Sequence, residues 1–251
     1  MFSLPPLSYY EKYFNIYGVW AESEQEGLGG YFKSSRWENV DRLIVANPKI
    51  VNSTIETLIP ETDIPVVIIN TDTYGGSGGQ IAVASSNHPE IVAHEIGHSF
   101  VGLGDEYDYE TAGQKPLEMP NITRVIDRSK IKWNHWIDDV TPLPTHNSET
   151  HQDSVGLFEG AMFKKKGWYR PMNNCQMRSN GVPLCKVCAE QYILTLYSYI
   201  SPIDTLLTDN KNLIEIGSND EVTIGIKPME LTGGKSLKID WYLNDIHHPQ
   251  L

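Results

Sequence analysis

The longest apolar run in the first half of the chain is Ile64 to Asn70, IPVVIIN. A continuous β-branched stretch of this kind marks a strand covered on both faces, and it is expected at the centre of a sheet. Gln80 to Ala84 (QIAVA) reads as a second strand. The two are separated by Tyr74 to Gly79, YGGSGG, with four glycines in six residues. Upstream, residues 1 to 20 are rich in aromatic side chains and predict a short helical turn followed by an extended strand, both packed into a core. Glu22 to Gly30 is a polar, glycine-bearing loop. Asp41 to Ala46 and Ser53 to Ile59 predict helical pieces, broken apart by Asn47-Pro48.

Helical signals return after the second strand. Ser86 or Asn87 can cap a helix, Pro89 and Glu90 suit its first turn, Ile91 and Phe100 can face inward, and Gly102 and Gly104 end it. Beyond Tyr107 the periodicity fades as far as Pro183. Pro116, Pro120, Pro142, Pro144 and Pro171 punctuate the segment, while Trp133, Trp136 and Trp168 offer anchors. A long irregular segment inside a compact domain is usually functional, and this one is expected to form the lower wall of a cleft. Leu184 to Ile200 then reads as an amphipathic helix closing the domain. After Pro202 the pattern changes to alternating strands, EVTIGI at 221–226 and SLKIDWYL at 236–243, as in part of a β-sandwich. The expected organisation is therefore an α/β (α+β) domain over residues 1–201, with a mixed twisted sheet, followed by an incomplete β-sandwich-like module over 202–251.

Composition narrows the function. The 251 residues are 21% charged and 40% hydrophobic, with 32 acidic and 20 basic side chains and a formal charge of −12. That balance disfavours nucleic acid as a partner, because phosphate binding needs clustered Lys and Arg. Lys164-Lys165-Lys166 is the one dense basic run and reads as a solvated turn. The apolar runs near Val66–Ile69 and Ile193–Ile200 are too short to span a bilayer, so an integral membrane protein is not expected. The start, MFSLPPLSYY, has neither the basic nor the apolar region of a signal peptide, so the chain is expected to be a piece of a longer or processed protein. The glycine-rich stretch lacks the GK[ST] ending of a phosphate loop and opens no helix, so its glycines are read as sites of close backbone approach.

The chemistry is concentrated at His94-Glu95-Ile96-Gly97-His98. Residues i and i+4 share a helix face, so both imidazoles can reach one metal ion, and Glu95 can act on a water at that metal. Catalytic zinc takes three protein ligands and leaves a fourth position open. In the metzincin pattern a Gly follows the second His by three residues, and the third ligand follows that Gly by three. Here Gly102 lies four after His98 and Asp105 three after Gly102. Asp105 is therefore the expected third ligand, with Glu106 and a more distant carboxylate or His as its rivals and a role for Asp105 beside a ligating His the other alternative. An anionic third ligand lowers the net charge of the site and acidifies a bound water less than a third His does.

The run HEIGHSFVGLGDEY, with YGGSGG before it and CQMR at Cys175 to Arg178 after it, resembles the M64 family of metallopeptidases, named for immunoglobulin A peptidase. The likeness covers roughly residues 8 to 200. It implies a metzincin-like zincin domain with an active-site helix, one catalytic Zn2+, endopeptidase activity and a secreted, periplasmic or cell-surface location. The partners it implies are protein or peptide substrates, with immunoglobulin or mucin-type glycoproteins as candidates that the family name alone does not assign. It also implies that the strand before the helix is an edge pairing with an extended substrate, which places Gly78, Gly79, Gln80, Ile81 and Ala82 in substrate binding. Met177 becomes the candidate for the methionine beneath the zinc, with Met172 as runner-up, and Tyr169 the candidate donor to the oxyanion. His135, His146 and His151 are read as surface residues. Cys175, Cys185 and Cys188 permit one disulfide, from Cys175 to either of the others, or a metal site with a borrowed fourth ligand; an oxidising compartment favours the disulfide. Zinc-dependent hydrolysis with Glu95 as general base is the expected function, and a non-catalytic glycoprotein- or peptide-binding module on the same fold is the alternative.

Overall fold

A computed structural model describes every residue except 1, 4, 39, 110–114, 209–214, 216, 218–220 and 249–251. Its elements run β1 (Ser35–Arg36), β2 (Ile44–Val45), α1 (Pro48–Leu58), β3 (Val66–Ile69), β4 (Gly76–Ser77), β5 (Ala82–Ser85), α2 (Glu90–Ser99), β6 (Phe158–Ala161), β7 (Lys164–Arg170), α3 (Lys186–Leu196), β8 (Ile203–Leu206), β9 (Ile226–Pro228), β10 (Trp241–Leu243) and β11 (Ile246–His248). The fold is mixed α/β with small sheets and three helices among the described residues, compatible with the α+β expectation.

The main sheet has the order β3-β5-β4, with β3 parallel and β4 antiparallel to β5. This corrects two expectations. The apolar run is an edge strand whose exposure alternates, Val66 and Ile68 facing out and Val67 and Ile69 in. The strand before α2 is the centre, not an edge: all four residues of β5 are buried. The small side chains of β5 allow cover on both faces. Ala82 packs with Ile96 of α2 in the larger core, and Val83 packs with Val51 of α1 and Ile44 of β2 in a second core. Gly78 to Ile81 form the connection between β4 and β5, so Ile81 and Ala82 are buried and only Gly78, Gly79 and Gln80 are exposed.

Asn47-Pro48 starts a helix where the sequence reading placed a break. The Asn47 side chain accepts from the N–H groups of Lys49 and Ile50, and Pro48 occupies the first turn, where no N–H is needed. Residues 44–45, expected to be helical, form β2 instead. For α2, neither Ser86 nor Asn87 caps the helix; Pro89 holds the cap position without a side-chain bond. Its other end behaves as the glycines imply. Gly102, at φ +72°, turns the chain back, so that its N–H reaches the His98 carbonyl and the Leu103 N–H reaches the Gly97 carbonyl.

The segment after Tyr107 is irregular apart from single helical turns and the β6–β7 hairpin, which turns through Met162 and Phe163, both at positive φ. Lys164–Lys166 open β7 and are not a free turn. Trp133 is the anchor expected of it, whereas Trp136 is 38% exposed. The N-terminal aromatics divide: Tyr10 is buried against Leu196 and Met229, but Ile16, Tyr17 and Trp20 are exposed, Trp20 by 92%. In the C-terminal segment, β8–β9 and β10–β11 are two separate antiparallel ladders. EVTIGI contributes only Ile226 to a strand, and SLKIDWYL only Trp241–Leu243. This segment touches the first residues of the chain through Met229, the Tyr13 hydroxyl to the Glu230 carbonyl at 2.9 Å, and Lys12 with Glu230.

The close approach of β4 to α2 depends on a missing side chain. A Cβ on Gly76 would stand 2.5 Å from the Val83 carbonyl oxygen, 2.7 Å from Ile91 Cγ2 and 3.1 Å from Glu95 Oε1. The first of these is backbone inside the sheet and cannot yield. Gly76→Ala is therefore expected to destabilise the fold by roughly 1–3 kcal/mol, read as a lower midpoint in denaturant unfolding; an unchanged midpoint would show that the sheet and helix are not packed as described.

Candidate metal centre

Helix α2 places His94 and His98 one turn apart, and the reversal at Gly102 brings Asp105 back over them. The three donor atoms form a nearly equilateral triangle: His94 Nε2 to His98 Nε2 3.1 Å, His94 Nε2 to Asp105 Oδ1 3.1 Å and His98 Nε2 to Asp105 Oδ1 3.2 Å. The other nitrogen of each ring is already committed. His94 Nδ1 donates to the Gln176 carbonyl at 3.0 Å and His98 Nδ1 to the Leu103 carbonyl at 2.7 Å. A neutral ring that donates through Nδ1 carries its lone pair on Nε2. Two lone pairs and a carboxylate oxygen thus point at one spot, an arrangement that needs a cation or a proton at its centre. Three tetrahedral ligands at about 2.0–2.1 Å from zinc lie about 3.3–3.4 Å apart, close to the observed sides.

The electrostatics follow from this crowding. Burial opposes protonation of His98, but the bond to Asp105 and the nearby Glu95 outweigh it and lift the pKa to about 9. Burial would raise Asp105, yet both imidazoles hold it well below the usual carboxylate range. Glu95 is raised chiefly by burial, with His98 and His94 pulling the other way. Its Oε1 lies 3.1 Å from where a Cβ on Gly76 would stand, and its carboxylate feels the charge of both imidazoles.

The Gly104–Tyr107 segment carrying Asp105 is strapped down on every side. Asn121, fully buried, accepts from the Gly104 N–H at 2.7 Å and donates to the Gly104 carbonyl and to Glu106 Oε1, both at 2.9 Å. The Met162 N–H bonds to the Asp105 carbonyl, the Glu106 N–H to the Met177 carbonyl at 2.8 Å, and Arg178 to the Glu106 carbonyl at 3.0 Å. Met177 is itself fully buried beneath α2, where a Cβ on Gly97 would stand 2.6 Å from its sulfur. The CQMR segment therefore supplies the carbonyl that orients His94, the methionine under the helix and the arginine that holds the segment carrying Asp105. Met172, the runner-up, is only partly buried at the margin of the same core.

Glu106, the rival to Asp105, is turned the other way and lies with Cys175, Cys185 and Cys188. All three cysteines are buried free thiols, so the preferred disulfide is not formed. Tyr169 sits in β7, where its backbone pairs with Thr123 and Glu159 raises its phenol further after burial; no hydrogen bond joins it to the histidines or Asp105 among the described residues. The tyrosine at the centre is Tyr107, which the sequence reading did not single out. Its ring lies parallel to His94, 6.3 Å between centroids, and burial followed by the charge of Asp105 raises its phenol well above its ordinary value. Tyr109 stacks on it at 4.5 Å, and the Arg42 guanidinium stands 4.7 Å from the Tyr109 ring and 5.4 Å from that of Tyr107. Asn121 was missed too: a lone Asn in an aperiodic stretch carries no local signal.

Two substitutions test this construction. A Cβ on Gly78 would stand 2.3 Å from His98 Cβ, so Gly78→Ala must shift the β4–β5 connection or the imidazole and is expected to weaken metal binding at an unchanged helix content. Asn121→Ala leaves the Gly104 N–H unpaired in the interior, with an expected loss of roughly 1–3 kcal/mol of stability and about 10- to 100-fold in metal affinity, measured by chelator competition.

Comparison with known proteins places these features in one lineage. The family model described as IgA Peptidase M64 matches residues 1–154 and 146–195, a span that contains the histidines, Asp105, Asn121 and the CQMR segment. No curated protein matches the chain. The match covers well over half of the sequence, and the chain belongs to the M64 (IgA peptidase) family of peptidases.

Proposed function

We propose that the chain is a zinc-dependent endopeptidase in which His94, His98 and Asp105 hold the metal and Glu95 is the general base. The observation that carries this reading is the triangle of three lone-pair donors, each side 3.1–3.2 Å, in which the neutral imidazoles carry their protons on Nδ1, away from the triangle. A zinc ion bound there would acidify a water and polarise the scissile carbonyl.

The chain's own residues supply the remaining steps. Glu95, buried and raised in pKa, accepts the proton of the attacking water and passes it to the departing amine. Gln176 and Leu103 keep both imidazoles in the tautomer that presents Nε2. Tyr107 orients Asp105, and Arg42 places positive charge beside both carboxylates, Glu95 and Asp105. Oxyanion stabilisation is better assigned to this Tyr107–Arg42 side than to Tyr169. Of the proposed substrate-binding residues, Gly78, Gly79 and Gln80 retain the role, since they are exposed and Gly78 passes directly over His98, while Ile81 and Ala82 support them from the core.

The metzincin-like fold, with Met177 under the metal, accords with the packing of Met177 beneath Gly97. The proposed substrates are extracellular proteins or glycoproteins, immunoglobulin and mucin types among them, reached by a secreted, periplasmic or surface-bound enzyme. Residues 202–251 are proposed as part of a β-sandwich-like module. No helix among the described residues is long and apolar enough to cross a membrane.

Glu95→Gln separates the enzyme from a binding module. The variant should keep its zinc and lose at least about 10²-fold in cleavage of a protein library followed by its new termini; a wild-type chain that binds zinc and cuts nothing would instead be the module. Asp105→Ala should lower zinc affinity by more than the roughly 10- to 100-fold typical of a residue that merely supports a ligand. Equal zinc affinity in that variant would remove Asp105 from the metal site.

A further inference from the structure

Four buried donor atoms outside the histidine triangle remain without a role. Glu106 and the sulfurs of Cys175, Cys185 and Cys188 all lie within 4.8 Å of one another. Glu106 is fully buried; its Oε1 accepts from Asn121 at 2.9 Å and from the Cys188 thiol at 3.2 Å, but its Oε2 has no partner. An unpaired carboxylate oxygen in the interior costs several kcal/mol by order of magnitude, so such groups are found paired or on metals. The sulfurs are arranged for the same purpose. Cys185 caps the N-terminus of α3 and accepts from the Cys188 N–H at 3.5 Å, and Cys175 accepts from the Cys185 N–H at 3.3 Å, so two sulfurs receive backbone donors that stabilise a thiolate.

A disulfide does not account for the group. It would join two sulfurs at about 2.05 Å, strand the third thiol and leave Glu106 Oε2 as it is. A tetrahedral zinc with sulfur ligands at about 2.3 Å separates those sulfurs by about 3.8 Å, within the observed spread, and uses all four donors.

We propose that Cys175, Cys185, Cys188 and Glu106 form a second, structural metal site for a thiophilic divalent cation, zinc by its preference for thiolate and carboxylate together. Binding needs all three sulfurs as thiolates and Glu106 as a carboxylate, sends to solvent whatever protons those four groups carry, and leaves a centre of net charge minus two. Two arginines are placed to balance it: Arg170, buried and drawn electrostatically to Glu106, with its Nε unpartnered, and Arg178, whose guanidinium holds the Glu106 carbonyl. The site is closed to solvent, as structural zinc sites are, and offers no open position for chemistry.

Its position gives it a consequence for the first site. Glu106 follows Asp105, Cys175 precedes the Gln176 carbonyl that orients His94, and Met177 is two residues further on. One ion would therefore fasten together the segment carrying Asp105 and, about seventy residues downstream, the CQMR segment and the start of α3. The inference does not depend on the catalytic reading of the histidine site, and the experiment keeps the two separate.

Zinc per chain is measured by elemental analysis on the folded wild type and on His94→Ala/His98→Ala, in which every thiol is untouched. The expected result is two zinc ions in the wild type and one in the variant, the retained ion showing sulfur neighbours by X-ray absorption. Cobalt substitution of the wild type gives the same answer without a mutant, through thiolate-to-cobalt charge transfer. Loss of all zinc from the variant, a zinc with only nitrogen and oxygen neighbours, or an intact mass two hydrogens lighter than the reduced chain overturns the proposal. Retention of two ions in the variant overturns the histidine site and leaves this one standing.

Discussion

Three donor atoms that would repel one another without a shared proton or cation hold the centre of this protein. Two imidazole lone pairs and a carboxylate oxygen stand about 3.1 Å apart, each forced there by a contact made on its far side. The Nδ1 atoms are taken by backbone carbonyls, and the Gly104–Tyr107 segment is fixed by Asn121, Met162, Met177 and Arg178. Such a convergence is costly without a cation, so the surrounding structure must be rigid enough to impose it. Much of the domain can be understood as that rigidity. The reversal at Gly102, the closeness of Gly76 and Gly78 to α2, and the burial of Met177 beneath Gly97 all serve to hold one triangle.

The means is removal of side chains rather than their addition. Gly76, Gly78 and Gly97 let a strand, a turn and a methionine reach α2 at distances that a Cβ would forbid. A helix interior glycine lowers helix stability by about 1 kcal/mol relative to alanine, so Gly97 is a local loss accepted for a tertiary contact. The central strand follows the same logic, its Ala82 and Ala84 being small enough for α2 to lie against it.

What the sequence revealed was whatever is short-range. His94, Glu95 and His98 are legible because a helix fixes their spacing, and Asp105 because a glycine reversal has few lengths. Met177 was legible only through resemblance. The errors have physical causes. A β-branched run says that a segment is a strand but not how many neighbours it has, so β3 was placed centrally when β5, of equal length and smaller side chains, holds the centre. Asn47-Pro48 can end one element or begin the next, and only the Asn47 side chain's bonds to Lys49 and Ile50 decide between them. Asn121 acts on Gly104 and Glu106 from a segment with no period, and Tyr107 gains its place beside His94 only when the chain folds back.

Asp105 and Glu106 show how finely the two ends of the domain are joined. Both are acidic and adjacent, and a sequence pattern can scarcely separate them as ligands. Their surroundings do. Asp105 meets two imidazoles that pull its acidity up, while Glu106 meets thiols, with burial as the main force pushing its pKa the other way. The peptide unit between them is held by Met177 on one side and Met162 on the other, so neither carboxylate can rotate into the other's place without breaking those bonds. A one-residue slip of this segment would bring the wrong carboxylate to the histidines and carry Asp105 into the thiols. The backbone bonds that prevent it come from the CQMR segment and the β6–β7 turn, which is why a site read from fourteen consecutive residues, His94 to Tyr107, still depends on chain seventy residues downstream.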